Sequence, residues 1–370
     1  MNANPVFSLH IPTKILFGCG ELRKLASEKL PGKKALIVIS SGTSMKKYGY
    51  LDKVVELLQE NNTESIVYDK ILPNPIKSHV MEAASVCHEQ KCDFIVGLGG
   101  GSSIDSAKAI AVMACNDGDY WDYIPAGSGK GRPVTKALPV IAIPTTAGTG
   151  TEADPWSVIT NEEAKEKIGF GSTLTFPVLS IIDPELMVSI PPHLTAYQGF
   201  DAFFHAAEGF LANCATPISD LYALEAIRLL YKYLPVAVKD GRNLKARAKV
   251  AWASTLAGLV EATSCCISEH SMEHAMSAIY PELPHGAGLI ALMACSMACS
   301  EVQLEVDSTR PASVLPQATL ARAFRFFPSL TAMGRYLDNR RMASRAYRSL
   351  IGVEQLAMNP SAAWKKASKP

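Results

Sequence analysis

Residues 94–98, FIVGL, run directly into three consecutive glycines and then into a helical pattern, and this passage constrains the fold more than any other. A short, β-branched apolar run has the length of a buried strand. Glycines behind it permit a sharp turn and a close backbone approach. The helix that follows, expected over 106–114, offers free N–H groups at its start. The neighbouring sequence repeats the alternation. Strands are expected over 35–39, 65–68 and 139–143, and helices over 51–60 and 78–90. Strand, helix, strand in this rhythm predicts an α/β fold with a parallel sheet and helices on both faces.

After about residue 184 the texture changes. Helical patterns cover 194–212, 217–234, 244–263 and 268–278, with few strand-like runs between them. A length of 370 residues exceeds what one core usually supports, so two domains are expected, 1–183 and 184–370, divided near Asp183–Pro184. A cleft between them is the expected ligand site.

Net charge is +1, which gives no electrostatic case for nucleic acid or an acidic membrane as partner. No apolar stretch reaches a membrane span, and the first ten residues lack the basic head and apolar run of a secretory leader. Nine cysteines without a CxxC pair suit free thiols in a reducing compartment, so a cytoplasmic location is expected. Adjacent Cys265 and Cys266 read as buried small hydrophobes.

Three motifs carry chemistry. Gly97-Leu-Gly-Gly-Gly-Ser-Ser-Ile-Asp105 joins a strand to a helix, where bare backbone and the helix dipole favour a pyrophosphate, although the spacing is not GxGxxG. Asp105 either serves a ligand or caps the helix. Pro144-Thr-Thr-Ala-Gly-Thr-Gly-Thr-Glu152 sits at the next strand's carboxyl end, the ligand edge of an open α/β sheet. Asp201 and His205, four apart on a predicted helix, face the same way. His270 and His274 repeat the device, and His285 follows in a turn. One carboxylate with two or three imidazoles suits a divalent transition metal with an open position. Spacing leaves open which imidazoles bind. One left free is a candidate proton shuttle.

In this order the segments GGGSSID, PTTAGTGTE, IDPEL (182–186), the Asp201/His205 helix and HSMEHA…PHGAG resemble the iron-containing (group III) alcohol dehydrogenases, from about residue 12 to Met293. The resemblance implies an N-terminal Rossmann-like domain followed by an all-helical metal-binding domain. It implies Asp201, His205, His270 and His285 as ligands of Fe(2+), with Zn(2+) an alternative, and His274 as the non-ligand histidine beside the nicotinamide. Gly99, Gly100, Gly101, Ser102 and Ser103 would hold the pyrophosphate of NAD or NADP. Thr145, Thr146 and Thr149 would line its inner half, with Asn74 nearby and Lys167 at its ribose. The implied reaction passes hydride between a small alcohol or aldehyde and the nicotinamide while the metal polarises the substrate oxygen. A homodimer is a family expectation. Rival readings are a glycerol or polyol dehydrogenase, a lyase of the dehydroquinate synthase type, or a metal- or nucleotide-binding protein impaired in catalysis.

Two departures qualify the resemblance. Many NAD-preferring members place an aspartate after the strand matching 35–39, whereas here Ser40 stands there. Without that carboxylate a 2′-phosphate meets no repulsion, so NADP is expected to be accepted. The second departure is the tail. Residues 1–293 hold 25 basic and 30 acidic side chains, and residues 294–370 hold 11 and 5. Arginine replaces lysine as the common cation in the tail, and the family's closing helices are not recognisable. A frameshifted tail and a divergent one both fit this shift.

Overall fold

The computed structural model describes residues 6–293, and those up to Ile290 form one compact unit. Its first half runs β1 (Lys14–Phe17), β2 (Lys34–Ser40), α1 (Ser44–Lys47), α2 (Tyr50–Glu60), β3 (Glu64–Ile71), α3 (Lys77–Glu89), β4 (Phe94–Gly99), α4 (Gly101–Met113) and β5 (Val140–Pro144). An antiparallel hairpin of β6 (Ser157–Asn161) and β7 (Glu166–Phe170) leads to β8 (Leu179–Ile182). Six strands form one sheet in the order β1-β8-β5-β4-β2-β3, parallel at every pairing. The parallel α/β expectation therefore holds.

The strand period of two divides the core. Leu36, Val38, Ile95 and Val140 face the layer built by α3 and α4, while Ile37, Ile39, Phe94, Val96, Leu98, Ile141 and Ile143 face α2 and the 3-10 turn Glu21–Ala26. With both faces covered, each strand needs apolar residues at consecutive positions, which is why the runs are legible.

Two boundaries differ from the sequence reading. Helix α4 begins at Gly101, not at 106, because residues 103–113 are all buried against the sheet and packing outweighs the poor helix propensity of Gly and Ser. Strands β1, β6, β7 and β8 carried too short or too mixed a pattern to be expected; β7, for example, reads EKIGF. The helical part consists of α5 (Pro192–Leu211), α6 (Pro217–Lys239), α7 (Leu244–Thr263) and α8 (Glu269–Ile279). Helix α6 continues through Pro235, beyond the expected stop at 234. Helices α5, α6 and α7 pack on one another, and α8 lies against β7 and α5. The change of texture read at Asp183–Pro184 falls where β8 gives way to the 3-10 turn Pro184–Met187, whose Glu185 amide donates to the Asp183 side chain. No described helix is long and apolar enough to cross a membrane. The atypical tail after Met293 lies outside the described residues.

Candidate functional site

The carboxyl ends of β4 and β5 present two loops that lie against each other. The amide of Thr145 donates to the carbonyl of Gly99 at 2.8 Å. A Cβ on Gly101 would come within 2.6 Å of Thr149, and one on Gly100 within 3.1 Å of Thr146. Gly99, at φ +147°, bends the chain into α4, whose first turn holds Ser102 and Ser103. No side chain caps that turn, and the buried Ser103 hydroxyl has no partner. Free N–H groups, bare backbone and an unsatisfied hydroxyl at a helix start suit an anionic phosphate. Gly148 and Gly150 serve another purpose. A Cβ on Gly150 would stand 2.4 Å from the backbone nitrogen of Gly258, and one on Gly148 2.9 Å from the Asp201 carboxylate. These two glycines let the second loop meet α7 and α5.

Asp105 does not cap α4, which begins four residues earlier at Gly101. It is buried and accepts hydrogen bonds from Thr151 Oγ1 at 2.6 Å and from the Val158 amide at 2.9 Å, which ties α4 to the second loop and β6. Lys108, one turn on, is fully buried. Its Nζ donates to the carbonyls of Thr151, Asp154 and Trp156, to Thr151 Oγ1 and to Asp154 Oδ1, at 2.6–3.1 Å.

Across from this cradle, α5 turns Asp201, His205 and Glu208 to one face, as positions four and three apart must. The Asp201 Oδ1 atom lies 3.4 Å from His270 Nε2, 3.5 Å from His285 Nε2 and 3.4 Å from His205 Nδ1. Asp201, His270 and His285 offer ligand atoms that all lie within 4.8 Å of one another. His205 stands slightly apart. Its Nδ1 also meets its own helix's Asp201 carbonyl at 3.0 Å, and its ring lies against that of His270, with 4.0 Å between centroids.

The outer ring nitrogens are held by two carboxylates that the sequence reading missed. Glu208 Oε1 lies 2.7 Å from His270 Nδ1, and its other oxygen accepts the amides of Ile267, Ser268 and Glu269. Glu208 thus caps the start of α8 while it orients the imidazole. Glu273 contacts His285 Nδ1 in the same manner. A carboxylate behind a histidine fixes the ring's tautomer and direction, a recurrent support for metal-binding imidazoles. The spacing Asp201–His205–Glu208, all on one face, carried a local signal for Glu208. Glu273 sits between two histidines and was legible only as part of that motif. Cys266 also reaches His270, at Nδ1 and 3.2 Å, the nitrogen that Glu208 already engages. Cys265 and Cys266, expected as buried hydrophobes, are only half-buried, and each thiol has polar partners.

Electrostatics make this a site short of positive charge. Burial opposes ionisation of Asp201, yet His205 and the contacts with His270 and His285 hold its carboxyl well below the usual range. Glu208 and Glu273 go down to about 2 against their own burial, chiefly through His270 and His285 respectively. Burial, with repulsion from His270, pushes His205 down to about 3. Burial alone would lower His270 as well, but Cys266, Asp201 and Glu208 hold it well above the ordinary value. Three ionised carboxylates around clustered imidazoles, one oxygen and several nitrogens converging, form a donor set that fits a divalent transition ion. Replacing Glu208 with glutamine should lower metal affinity roughly 10–100-fold. An amide cannot accept from three backbone N–H groups and also receive the histidine's proton. Chelator competition on the purified variant measures this, and unchanged affinity would reject the orienting role.

The remaining expected residues surround this set. Lys167 on β7 is buried, and its Nζ contacts Asn74 Oδ1 at 3.1 Å, Glu273 at 3.3 Å and His285 Nδ1 at 3.5 Å. Burial lowers its pKa against the pull of Glu273. Asn74 also donates to the carbonyls of Pro281 and Leu283, bracing the turn before His285. His274 lies with its ring centre 6.5 Å from that of His270 and 5.5 Å from that of His285, one helical turn beyond the Asp201 convergence. Burial, and then Lys167 and the other imidazoles, hold it well below the ordinary value, so its ring is neutral. Ser40 ends β2, the strand that pairs with β4 beside the glycine turn, and is half-buried.

The chain matches the family description "Iron-containing alcohol dehydrogenase" over residues 12–184 and "Fe-containing alcohol dehydrogenase family, C-terminal" over residues 195–316, somewhat past the point where the motifs fade. It is 40% identical over 288 residues to a choline dehydrogenase of Bacillus subtilis, spanning 77% of this chain and 71% of that protein. With a 1,3-propanediol dehydrogenase of Klebsiella pneumoniae it shares 36% identity over 290 residues, 78% of this chain and 74% of that one. The crystal structure of an archaeal halo-thermophilic alcohol dehydrogenase from a Red Sea brine pool superposes with a TM-score of 0.79 at 36% identity, covering 90% of each chain. On these matches, which run through both the phosphate cradle and the histidine cluster, the chain belongs to the iron-containing alcohol dehydrogenase family and is an oxidoreductase of alcohols.

Proposed function

We propose that this chain oxidises small alcohols, and reduces the matching aldehydes, with a nicotinamide dinucleotide and with Fe(2+) held by Asp201, His205, His270 and His285. The observation that carries the reading is the convergence of His270 Nε2 and His285 Nε2 on Asp201 Oδ1, facing the loop that abuts the uncapped start of α4. A bound divalent iron supplies Lewis acidity at the substrate oxygen, and the nicotinamide accepts or donates the hydride. The chain's own residues do the rest. Asp201 contributes the negative oxygen of the donor set, while Glu208 and Glu273 fix the ring directions of His270 and His285. Gly99, Gly100, Gly101, Ser102 and Ser103 receive the pyrophosphate, and Thr145, Thr146 and Thr149 border its inner half. Asn74 and Lys167 stand at the ribose side, where Lys167 also balances the charge of Glu273. His274 offers a neutral nitrogen beside the ligands. Its neighbours make it a weak base, which suits passing a proton outward better than storing it. The same donor set accepts zinc, and a homodimer belongs to this reading by family resemblance.

The deciding experiment is metal analysis of anaerobically purified protein joined to steady-state assays with NAD and NADP over a panel of alcohols. Stoichiometric iron with continuous reduction of nucleotide supports the proposal. Retained nucleotide binding without turnover after iron reconstitution would replace it with a non-catalytic binding protein. The nucleotide preference has its own test. Ser40 leaves no carboxylate to repel a 2′-phosphate, and α1 just beyond carries Lys46 and Lys47. NADP should give kcat/KM at least equal to that with NAD, and Ser40→Asp should lower the NADP value about tenfold or more by like-charge repulsion. A higher kcat/KM with NAD in the wild-type chain rejects the preference.

A further inference from the structure

Two cysteines far apart in sequence meet at the joint between α5 and α8. Cys214 lies in the exposed turn three residues beyond α5, and Cys265 in the half-buried loop between α7 and α8. Their sulfurs are 2.9 Å apart across 51 residues of chain. The joint is already tied. Ser264 Oγ donates to the Gly209 carbonyl at 2.6 Å, and the amides of Ile267, Ser268, Glu269 and His270 all donate to Glu208 on α5. Among the other described thiols, Cys87 and Cys92 contact each other but are both buried, Cys266 turns towards Glu261 and His270, and Cys19 is exposed and Cys115 half-buried elsewhere in the chain.

We propose that Cys214 and Cys265 are a reversible disulfide site that staples the start of α8 to the end of α5. This goes beyond the proposed catalytic function and does not depend on it. Exposed Cys214 is the entry point and a low-molecular-weight disulfide, such as oxidised glutathione, is the oxidant. The Cys214 thiolate attacks one glutathione sulfur, the S–S bond of the oxidant breaks, and one glutathione leaves with the electron pair and takes up a proton. Cys265 then loses its proton and attacks the Cys214 sulfur of the mixed disulfide, which expels the second glutathione. Two cysteine thiols thus lose two electrons and two protons, and the oxidant gains both. Burial and the neighbouring Cys214 thiol push the Cys265 thiol up to about 12, which makes Cys265 the slower, resolving partner. The crosslink sits two residues before the loop stretch whose amides Glu208 gathers. It therefore restrains the same opening motion that would free the first turn of α8.

The test uses the full chain under non-denaturing conditions with oxidised glutathione. Peptide mapping by mass spectrometry should find a Cys214–Cys265 linked pair, two hydrogens lighter than the free peptides and released by dithiothreitol. Cys265→Ser should leave a stable glutathione adduct on Cys214, and Cys214→Ser should abolish the reaction at Cys265. In the crosslinked protein, amide exchange at residues 267–270 should slow by about threefold or more relative to the reduced form. A crosslink that appears only after denaturation overturns the proposal. So does one that joins Cys265 to Cys266 or Cys87 to Cys92 instead. Unchanged exchange at 267–270 in a crosslinked sample overturns the staple.

Discussion

His270→Ala should strip the protein of bound iron and lower kcat/KM by about a thousandfold or more, since Lewis acidity at the substrate oxygen contributes several kcal/mol and each 1.36 kcal/mol is tenfold in rate. His270 faces Asp201 through Nε2 and is gripped by Glu208 at Nδ1, so it has no freedom to be replaced by a neighbour. His274→Ala should differ in kind. Its ring lies outside the Asp201 convergence, so metal content should remain near that of the wild type while kcat falls by about 10²-fold through loss of the proton path. Metal analysis of both variants beside their kinetics separates the roles. Iron lost from His274→Ala and kept by His270→Ala would reverse the assignment of these two residues.

Lys108→Met should be the most destabilising single change in the α/β part, by about 3–5 kcal/mol. The ammonium is fully buried and has five oxygen acceptors, so removing it deprives the Asp154 carboxyl of its cation and the buried Thr151 and Asp154 carbonyls of a donor. Burial already pushes the Asp154 carboxyl up to about 7, with Lys108 the chief group holding it down. The variant should therefore denature at a temperature lower by on the order of 10 °C. Adding Asp154→Asn should recover part of the loss, because the carboxyl that has lost its cation goes with it. A melting temperature within a degree or two of the wild type would show that the network contributes little.

Much of this architecture was legible because its signals are local. Runs such as ALIVI and FIVGL mark strands buried on both faces, and four-residue spacing places Asp201 and His205 on one helical face whatever surrounds them. The β6–β7 hairpin escaped because its pattern is mixed. Its inner face packs on α4, and no periodicity within EKIGF announces that. The glycines of the second loop were legible as glycines and misleading as to purpose. Gly150 is needed because α7 approaches at Gly258, more than a hundred residues later.

The sequence by itself determined the parallel α/β sheet, the helical second part, the glycine-rich strand-to-helix turn and the five polar side chains from which a metal site could be drawn. Only the tertiary structure decided which of them converge, and it added Glu208 and Glu273 behind the imidazoles and Lys108 beneath the loops. Those decisions depend on pairs 12 to 84 residues apart, such as Glu273 with His285 and Asp201 with His285. Helix and strand periodicity fixes which way a side chain points from its own element, but only folding brings its partner within hydrogen-bonding distance.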